Sequence, residues 1–138
     1  MDFKSIWTDA DFELMNWRNC RLYAISMLDE NFQISLNIDY MFEWKKETEF
    51  LISPCDMTFN NVSNVMMKFE LIEKMFLLID EIKKSNPRKS PNGKFIMWDY
   101  KIIFDSGSLD FTATDFKMLV KKPAISSESI YLGIKKRK

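Results

Sequence analysis

The chain of 138 residues contains no histidine, and this restricts the chemistry that its side chains can perform. Ser-His-Asp and Cys-His nucleophile systems, histidine-based acid–base catalysis and nearly all common zinc sites need that residue. Two cysteines and three glycines supply neither a thiolate metal cluster nor a glycine-rich phosphate loop. We therefore expect no cofactor, no metal ion and no enzymatic activity.

Paired carboxylates are the chemistry that remains. Asp39 and Glu43 lie four residues apart, which in a strand is roughly 13 Å along one face. Glycosidase carboxylates lie about 5–9.5 Å apart, so we expect Asp39 and Glu43 to be solvated or ion-paired. An enzyme that uses Asp39, Arg18 and a carboxylate from another strand is the least favoured hypothesis.

Tyrosine and tryptophan combine a large apolar body with a polar group, and could line a small-molecule pocket. Six residues of this kind could do so, namely Trp17, Tyr23, Tyr40, Trp44, Trp98 and Tyr100. Such residues more often form a core, and that is the interpretation we favour. An RNA-binding platform would need basic residues around the rings, and the polar face of residues 32–44 lacks them.

The strongest pattern in the chain runs from Phe32 to Trp44. Its alternate positions are apolar or aromatic, namely Phe32, Ile34, Leu36, Ile38, Tyr40, Phe42 and Trp44. This alternation predicts a long strand with one apolar face and one polar face, the polar one carrying Asn37 and Asp39. Cys20–Leu28 is apolar on both faces and predicts a covered strand. The short polar connection between these segments predicts an antiparallel hairpin.

Alternation also predicts strands over 65–71 and over 98–105 and 109–113, the last two joined by a tight turn. We expect Ser53-Pro54 to interrupt a strand that begins at Phe50, because proline cannot donate to a ladder. Residues 86–93 contain two prolines and a glycine and are expected to form a loop. Cys20 and Cys55 are expected to be free, buried thiols.

Two segments allow alternatives. Residues 72–84 carry apolar residues at helical spacing and predict a helix, with a strand over Phe76–Ile82 as the competing interpretation. Near the N-terminus, Thr8 followed by Asp11 resembles a helix cap and predicts one helical turn at about Asp9–Leu14. An edge strand over Phe12–Trp17 is the alternative there.

The predicted fold is mainly β, an antiparallel meander sheet of six to eight strands with one helix at about 72–84. We expect the sheet to curl into a half-barrel or compact sandwich, because its apolar face must be covered. Residues 1–134 would form a single domain, and residues 135–138 a solvated basic tail. Without that tail the body is mildly acidic, which argues against a nucleic-acid partner.

The N-terminal residues show no secretory signal pattern, and no run is long enough to cross a bilayer. We therefore expect a cytoplasmic protein that does not associate with membranes.

Several segments together resemble a family of small bacterial proteins without an assigned function. They are W-R-N-C-R-L-Y-A-I at 17–25, N-I-D-Y-M-F-E-W at 37–44, I-S-P-C-D-M-T-F at 52–59 and D-Y-K-I-I-F-D-S-G-S-L-D-F-T-A at 99–113. The family pattern has W-H-D-x-x-I-Y-A, D-I-D-Y-I and Ser-Pro motifs. This chain carries Arg18 and Asn19 where that pattern has His and Asp. Small proteins of this kind are similar to immunity or partner-binding proteins of bacterial toxin clusters.

These observations favour a non-enzymatic binding or protein-interaction protein, immunity-like in style, with an unknown protein partner or a homodimer. A small-molecule binder with an aromatic-lined apolar pocket is the alternative. The predicted binding residues are Trp17, Arg18, Asn19, Asn37, Asp39, Tyr40 and Trp44, and the polar side of the strand, with Asn37 and Asp39 beside Trp17-Arg18-Asn19, is where we expect the site to be centred.

Overall fold

A computed structural model describes residues 4–133 and residue 137. Its strands are β1 (Ile6–Thr8), β2 (Cys20–Leu28), β3 (Gln33–Lys46), β4 (Glu49–Asn60), β5 (Ser63–Phe69), β6 (Leu77–Lys89), β7 (Ile96–Phe104), β8 (Gly107–Ala113), β9 (Asp115–Val120) and β10 (Ile125–Ser127). Two short 3₁₀ helices cover Asp9–Leu14 and Asp29–Asn31. Among the described residues, no helix combines the length and apolar character needed to span a membrane.

The ten strands form one open antiparallel sheet in the order β1-β9-β4-β3-β2-β6-β7-β8-β5, and β10 also pairs with β4. The prediction of a mainly β, antiparallel protein is therefore confirmed. The predicted count of six to eight strands is wrong, and so is the simple meander order. After β8 the chain returns to pair β9 with β4, and β5 lies at the far edge beyond β8.

The sheet bends so that its two halves share one core. The Phe59 ring on β4 lies 4.6 Å from the Phe111 ring on β8 and 5.1 Å from the Tyr100 ring on β7, measured between centroids. Four strands separate β4 from β8 in the sheet order, so a flat sheet would hold them about 24 Å apart at roughly 4.8 Å per strand. Aromatic rings packed edge to face therefore fill the space between the halves.

Both predicted hairpins are present. In the β2–β3 hairpin, Arg21 pairs with Asp39 and Leu28 with Gln33, and a bulge interrupts the ladder near Tyr23. In the β7–β8 hairpin the turn ends at Gly107, whose φ is +147°. A Cβ at Gly107 would lie 2.0 Å from the Lys68 carbonyl oxygen on β5, so glycine is what allows β5 to approach this turn.

The predicted helix at 72–84 is wrong, and the competing strand interpretation is correct for residues from Leu77 onwards. Strand β6 pairs with β2 at one end and with β7 along its length. A bulge between Ile79 and Glu81 shifts the register, so that Ile79 and Ile82 are both buried. This extra residue produces an apolar spacing of three, which imitates a helix in the sequence.

Two further breaks that we expected are absent. The predicted loop at 86–93 is wrong for its first part, because β6 continues to Lys89 past a second bulge between Ser85 and Arg88. Asn86 lies in this bulge with φ 57°, and Pro87 follows it where the ladder requires no donor.

The predicted interruption at Ser53-Pro54 is also wrong, because β4 runs through both residues. On one side Pro54 lies opposite Asp39 in β3. On the other side β4 pairs with β10 only as far as Ile52, and its pairing with β9 starts at Cys55. The Pro54 carbonyl accepts a hydrogen bond from the Lys121 N–H at 2.9 Å on that second side. The missing proline N–H therefore faces the gap between two strands.

The predicted helical turn near the N-terminus is confirmed as a 3₁₀ helix capped by Thr8 and Asp11, and the alternative strand over Phe12–Trp17 is wrong. Cys20 and Cys55 are free and buried, as predicted.

Near the C-terminus, Ile125–Ser127 forms the short strand β10. The tail residues 135, 136 and 138 lie outside the described part, whereas Arg137 is only 10% exposed and is not solvated as expected.

Candidate functional site

The structure divides the seven predicted site residues among three places. Trp17 and Tyr40 lie in the core, with ring centroids 5.4 Å apart. The Tyr40 hydroxyl accepts a hydrogen bond from the Asn16 backbone N–H at 2.9 Å. Burial raises the pKa of Tyr40, so its hydroxyl stays neutral. Both rings are almost completely buried and pack within the core of the sheet.

Arg18, Asn19 and Trp44 lie at the surface and line, with Tyr40, a cleft of about 250 Å³. Asn19 has φ 68° and its N–H donates to the Ile79 carbonyl at 2.8 Å, so its role is to form a turn. The Arg18 side chain is 74% exposed and lies 4.0 Å from Asp80. Trp44 is 62% exposed. The cleft thus combines an exposed cation with an exposed ring, and Glu43 adds a carboxylate to its lining.

Asp39 and Asn37 lie on the other face of β3, at the centre of a group of hydrogen-bonded polar side chains. Asp39 is completely buried. Its Oδ2 accepts hydrogen bonds from the Tyr23 hydroxyl at 2.9 Å and from the Leu132 N–H at 2.7 Å. Its Oδ1 accepts a hydrogen bond from the Arg137 guanidinium. The carboxylate that we expected on a wet face is therefore covered and fully engaged.

The C-terminal segment is what covers this face. Leu132 packs against Phe50 and Ile52 to form a small second core, separate from the main one. The Gly133 N–H donates to the Tyr23 hydroxyl at 3.1 Å. Since β10 pairs with the start of β4, the chain that follows is directed across β3. Apolar packing and hydrogen bonds together hold the segment over Asp39.

The Arg137 guanidinium bridges the side chains of Asn37 and Asp39 on β3. One guanidinium nitrogen donates to Asp39 and another to the Asn37 Oδ1, while its Cζ lies 3.8 Å from the centre of the Tyr23 ring. Asn37 in turn donates to the Asp56 Oδ1 at 2.7 Å. Burial lowers the pKa of Arg137, although an arginine so paired remains charged at neutral pH.

A second arginine lies beside the same tyrosine ring. The Arg21 Cζ is 4.5 Å from the Tyr23 ring, 4.4 Å from Tyr131 and 4.7 Å from Phe76. Its Nε is buried and has no hydrogen-bond partner among the described residues. Cation–π contacts therefore hold Arg21 in place.

In the described part of the chain, the carboxylate at the centre of this arrangement is engaged by hydrogen-bond donors on both oxygens. Each Asp39 oxygen already accepts a hydrogen bond. Within the described part of the chain, no group of three or more carboxylate or thiol side chains could hold a metal ion.

Asn37 and Asp39 were predicted as site residues from the sequence, whereas Tyr23, Leu132 and Arg137 were not. Tyr23 was among the aromatic residues that could line a pocket, but its contact with Asp39 was not predicted. For Leu132 and Arg137 the sequence offers only an arginine shortly after the apolar residues at 130 and 132.

Comparison with protein-family models, with curated protein sequences and with solved structures finds no match for this chain.

Proposed function

We propose that this protein is a non-enzymatic protein-interaction protein, and that the outer edge of β5 pairs with the same edge of a second copy. The observation that carries the proposal is an edge strand with exposed apolar side chains. Val65 is 42% and Met66 is 55% exposed, and in the connection that follows Ile72 is 79% exposed. Contiguous exposed apolar surface of this kind is typical of interaction sites.

The backbone of β5 is oriented for such pairing. The Glu70 N–H donates to the Ser106 carbonyl at 3.0 Å, and Lys68 lies opposite Ser108 in the same register. Backbone groups alternate in direction along a strand, so those of Lys68 face β8 and those of Met67 and Phe69 face outward. These outward groups are available to an antiparallel strand.

The side chains of this edge are complementary to themselves. In an antiparallel pair with its two-fold axis at Phe69, Lys68 of each copy lies opposite Glu70 of the other. β5 ends at Phe69, so this register requires residues 70–72 to become extended in the dimer, and it then places Met66 opposite Ile72, both of them exposed. A two-fold interface repeats each contact, so both the charge pair and the apolar pair occur twice. The bulge at Asn64, whose φ is 54°, limits pairing to the residues after it.

The opposite edge of the sheet is a weaker template. β1 contains only three residues, and short edge strands discourage pairing. We infer a dimer through β5 and not a chain of sheets joined at both edges.

We also infer that the bent sheet is a half-barrel, because β1 and β5 do not pair with each other.

The alternatives lack an observation of their own. Aromatic rings occupy the space between the halves of the sheet, which gives a small-molecule pocket no support. The engaged oxygens of Asp39 likewise give a carboxylate enzyme no support.

Light scattering coupled to size exclusion, across micromolar concentrations, tests the dimer. We expect Lys68→Glu to shift the protein toward monomer, because it places like charges opposite each other in both halves of the interface. The double variant Lys68→Glu/Glu70→Lys should restore dimerisation. Lys94→Glu, an exposed charge change on another turn, is the matched control. A monomeric wild type, or no rescue in the double variant, would refute the proposal.

A further inference from the structure

The group around Asp39 has the form of a receptor for a guanidinium ion. Asp39 and Asn37 are two residues apart on β3 and supply one acceptor each, and the Tyr23 ring supplies a flat surface 3.8 Å from the Arg137 Cζ. We propose that Asp39, Asn37 and Tyr23 form an arginine-binding pocket, occupied within the chain by Arg137, that takes the arginine side chain of a partner peptide when Arg137 is displaced.

The shape of the pocket distinguishes arginine from lysine. A guanidinium is planar and presents several N–H donors in a fixed fork, which can reach both acceptors while stacking on a ring. An ammonium is a compact point charge and cannot make both hydrogen bonds and a stacked contact in the same way. The pairing of a carboxylate oxygen with an amide oxygen beside an aromatic face therefore selects the guanidinium.

The acceptors are held in place by groups other than Arg137. The Tyr23 hydroxyl and the Leu132 N–H both donate to Asp39. Asn37 donates to Asp56, which forms an ion pair with Lys121 at 3.0 Å. Because these contacts do not involve Arg137, the pocket keeps its geometry when the arginine leaves. Preorganised acceptors lose little freedom on binding.

Electrostatics favour refilling the pocket. Asp39 is completely buried, so removal of Arg137 leaves its charge without the counterion that now contacts it. A buried carboxylate without a partner is costly. Arg21 lies over the Tyr23 ring as well, but it is held among three aromatic rings and makes no hydrogen bond to Asp39 among the described contacts. An incoming guanidinium is therefore the group that best replaces Arg137.

The pocket and the β5 edge are separate surfaces, so this inference does not depend on the proposed dimer. The occupant inside the chain makes the pocket self-inhibited, because a partner must compete with Arg137 at a high effective concentration.

The test measures how tightly N-acetyl-arginine amide binds to the full chain carrying Arg137→Ala. Titration calorimetry gives the affinity, and the shift in melting temperature on adding the ligand checks it. We expect the ligand to bind this variant roughly tenfold or more tightly than the wild type, in which Arg137 occupies the site. N-acetyl-lysine amide should not show this difference. The double variant Arg137→Ala/Asn37→Leu should lose the gain while retaining the β-sheet spectrum. Equal binding to wild type and variant, or equal binding of the lysine analogue, would overturn the proposal.

A measurement on the wild type keeps the proposal testable if Arg137→Ala does not fold. Selective ¹⁵N labelling of arginine should show slowly exchanging guanidinium protons for Arg137, and N-acetyl-arginine amide at high concentration should accelerate their exchange. Acceleration by the lysine analogue to the same extent, or fast exchange from the outset, would contradict an occupied arginine pocket.

Discussion

The backbone N–H of Leu132 donates to the Asp39 carboxylate at 2.7 Å across a sequence separation of 93 residues. Tyr23 and Arg137 donate to the same carboxylate, so one buried side chain joins β2, β3 and the C-terminal segment. The polar face of β3 would be exposed without that segment. Asp39 therefore connects the end of the chain to the centre of the sheet.

Replacing Asp39 should strongly destabilise the fold. In Asp39→Ala the guanidinium of Arg137, which is only 10% exposed, loses its counterion and the Leu132 N–H loses its acceptor. Removal of one partner of a buried ion pair costs about 3–5 kcal/mol. The free energy of unfolding, measured by urea denaturation, should fall by about that amount.

The matched control is Glu43→Ala, which removes an exposed carboxylate from the same strand. We expect a change within about 0.5 kcal/mol, as for most surface substitutions. The double variant Asp39→Ala/Arg137→Ala should be less destabilised than the sum of the two single variants. Equal effects of Asp39→Ala and Glu43→Ala would show that Asp39 does not connect these elements.

Phe59 should be the side chain whose loss most weakens the contact between the halves of the sheet. Its ring contacts Tyr100, Phe111 and Phe116 at centroid distances of 5.1, 4.6 and 5.5 Å. Truncation of a buried phenylalanine to alanine costs about 3–5 kcal/mol. Calorimetry of Phe59→Ala should show this loss, whereas Phe95→Ala, at a ring that is 49% exposed, should change little. Similar melting temperatures for the two variants would contradict the bent core.

The strands that the sequence predicted correctly are those whose signal is local. The alternation of Phe32–Trp44 and the turn after Phe104 each depend only on neighbouring residues, and β3 and the β7–β8 hairpin follow from them. A bulge breaks this logic, because one extra residue in β6 changes the apolar spacing from two to three. In the helix predicted at 72–84, the spacing of Ile79 and Ile82 arises from that shift, whereas Ile72, Met75 and Phe76 lie in the connection before β6.

The site was less predictable because its environment comes from distant parts of the chain. Nothing near Asp39 indicates that Leu132 and Arg137 cover it, and an alternating strand is equally consistent with a wet polar face. Pro54 presents the same difficulty, since its tolerance within β4 depends on the gap between β9 and β10. Local pattern determines which residues share a face, and only the tertiary fold determines what covers that face.

The turn after β4 allows the cost of a left-handed backbone to be measured. Asn61 has φ 53°, and its side chain donates to the Thr114 hydroxyl at 3.0 Å. Asn61→Ala and Asn61→Gly both lose that hydrogen bond, but only alanine is strained at positive φ, by about 1–2 kcal/mol. The glycine variant should therefore be the more stable of the two by urea denaturation. A more stable alanine variant would contradict the left-handed conformation.

The two buried cysteines should resist modification in the folded protein. Burial raises the pKa of the Cys20 and Cys55 thiols from 9.0 to about 12. The thiolate is the reactive form, so a rise of three units lowers its population about a thousandfold near pH 8. Labelling with a disulfide reagent should be slow for the native protein and rapid in urea. Ser26→Cys places an exposed thiol on the same strand as Cys20 and should label rapidly without denaturant.

The same shift predicts a loss of stability at alkaline pH. A thiol whose pKa is raised by folding favours the native state fully below the unfolded pKa of about 9. That contribution is lost as the pH rises toward 12, because the unfolded chain releases protons that the native chain retains. Between about pH 8 and pH 10, the melting temperature of the wild type should fall more steeply than that of Cys20→Ala/Cys55→Ala. Burial also raises the pKa of Tyr40 and Tyr100. The wild type and the double variant both keep these tyrosines, so the difference between the two curves reports the thiols. Parallel curves for the two proteins would mean that the thiols are not buried as neutral groups.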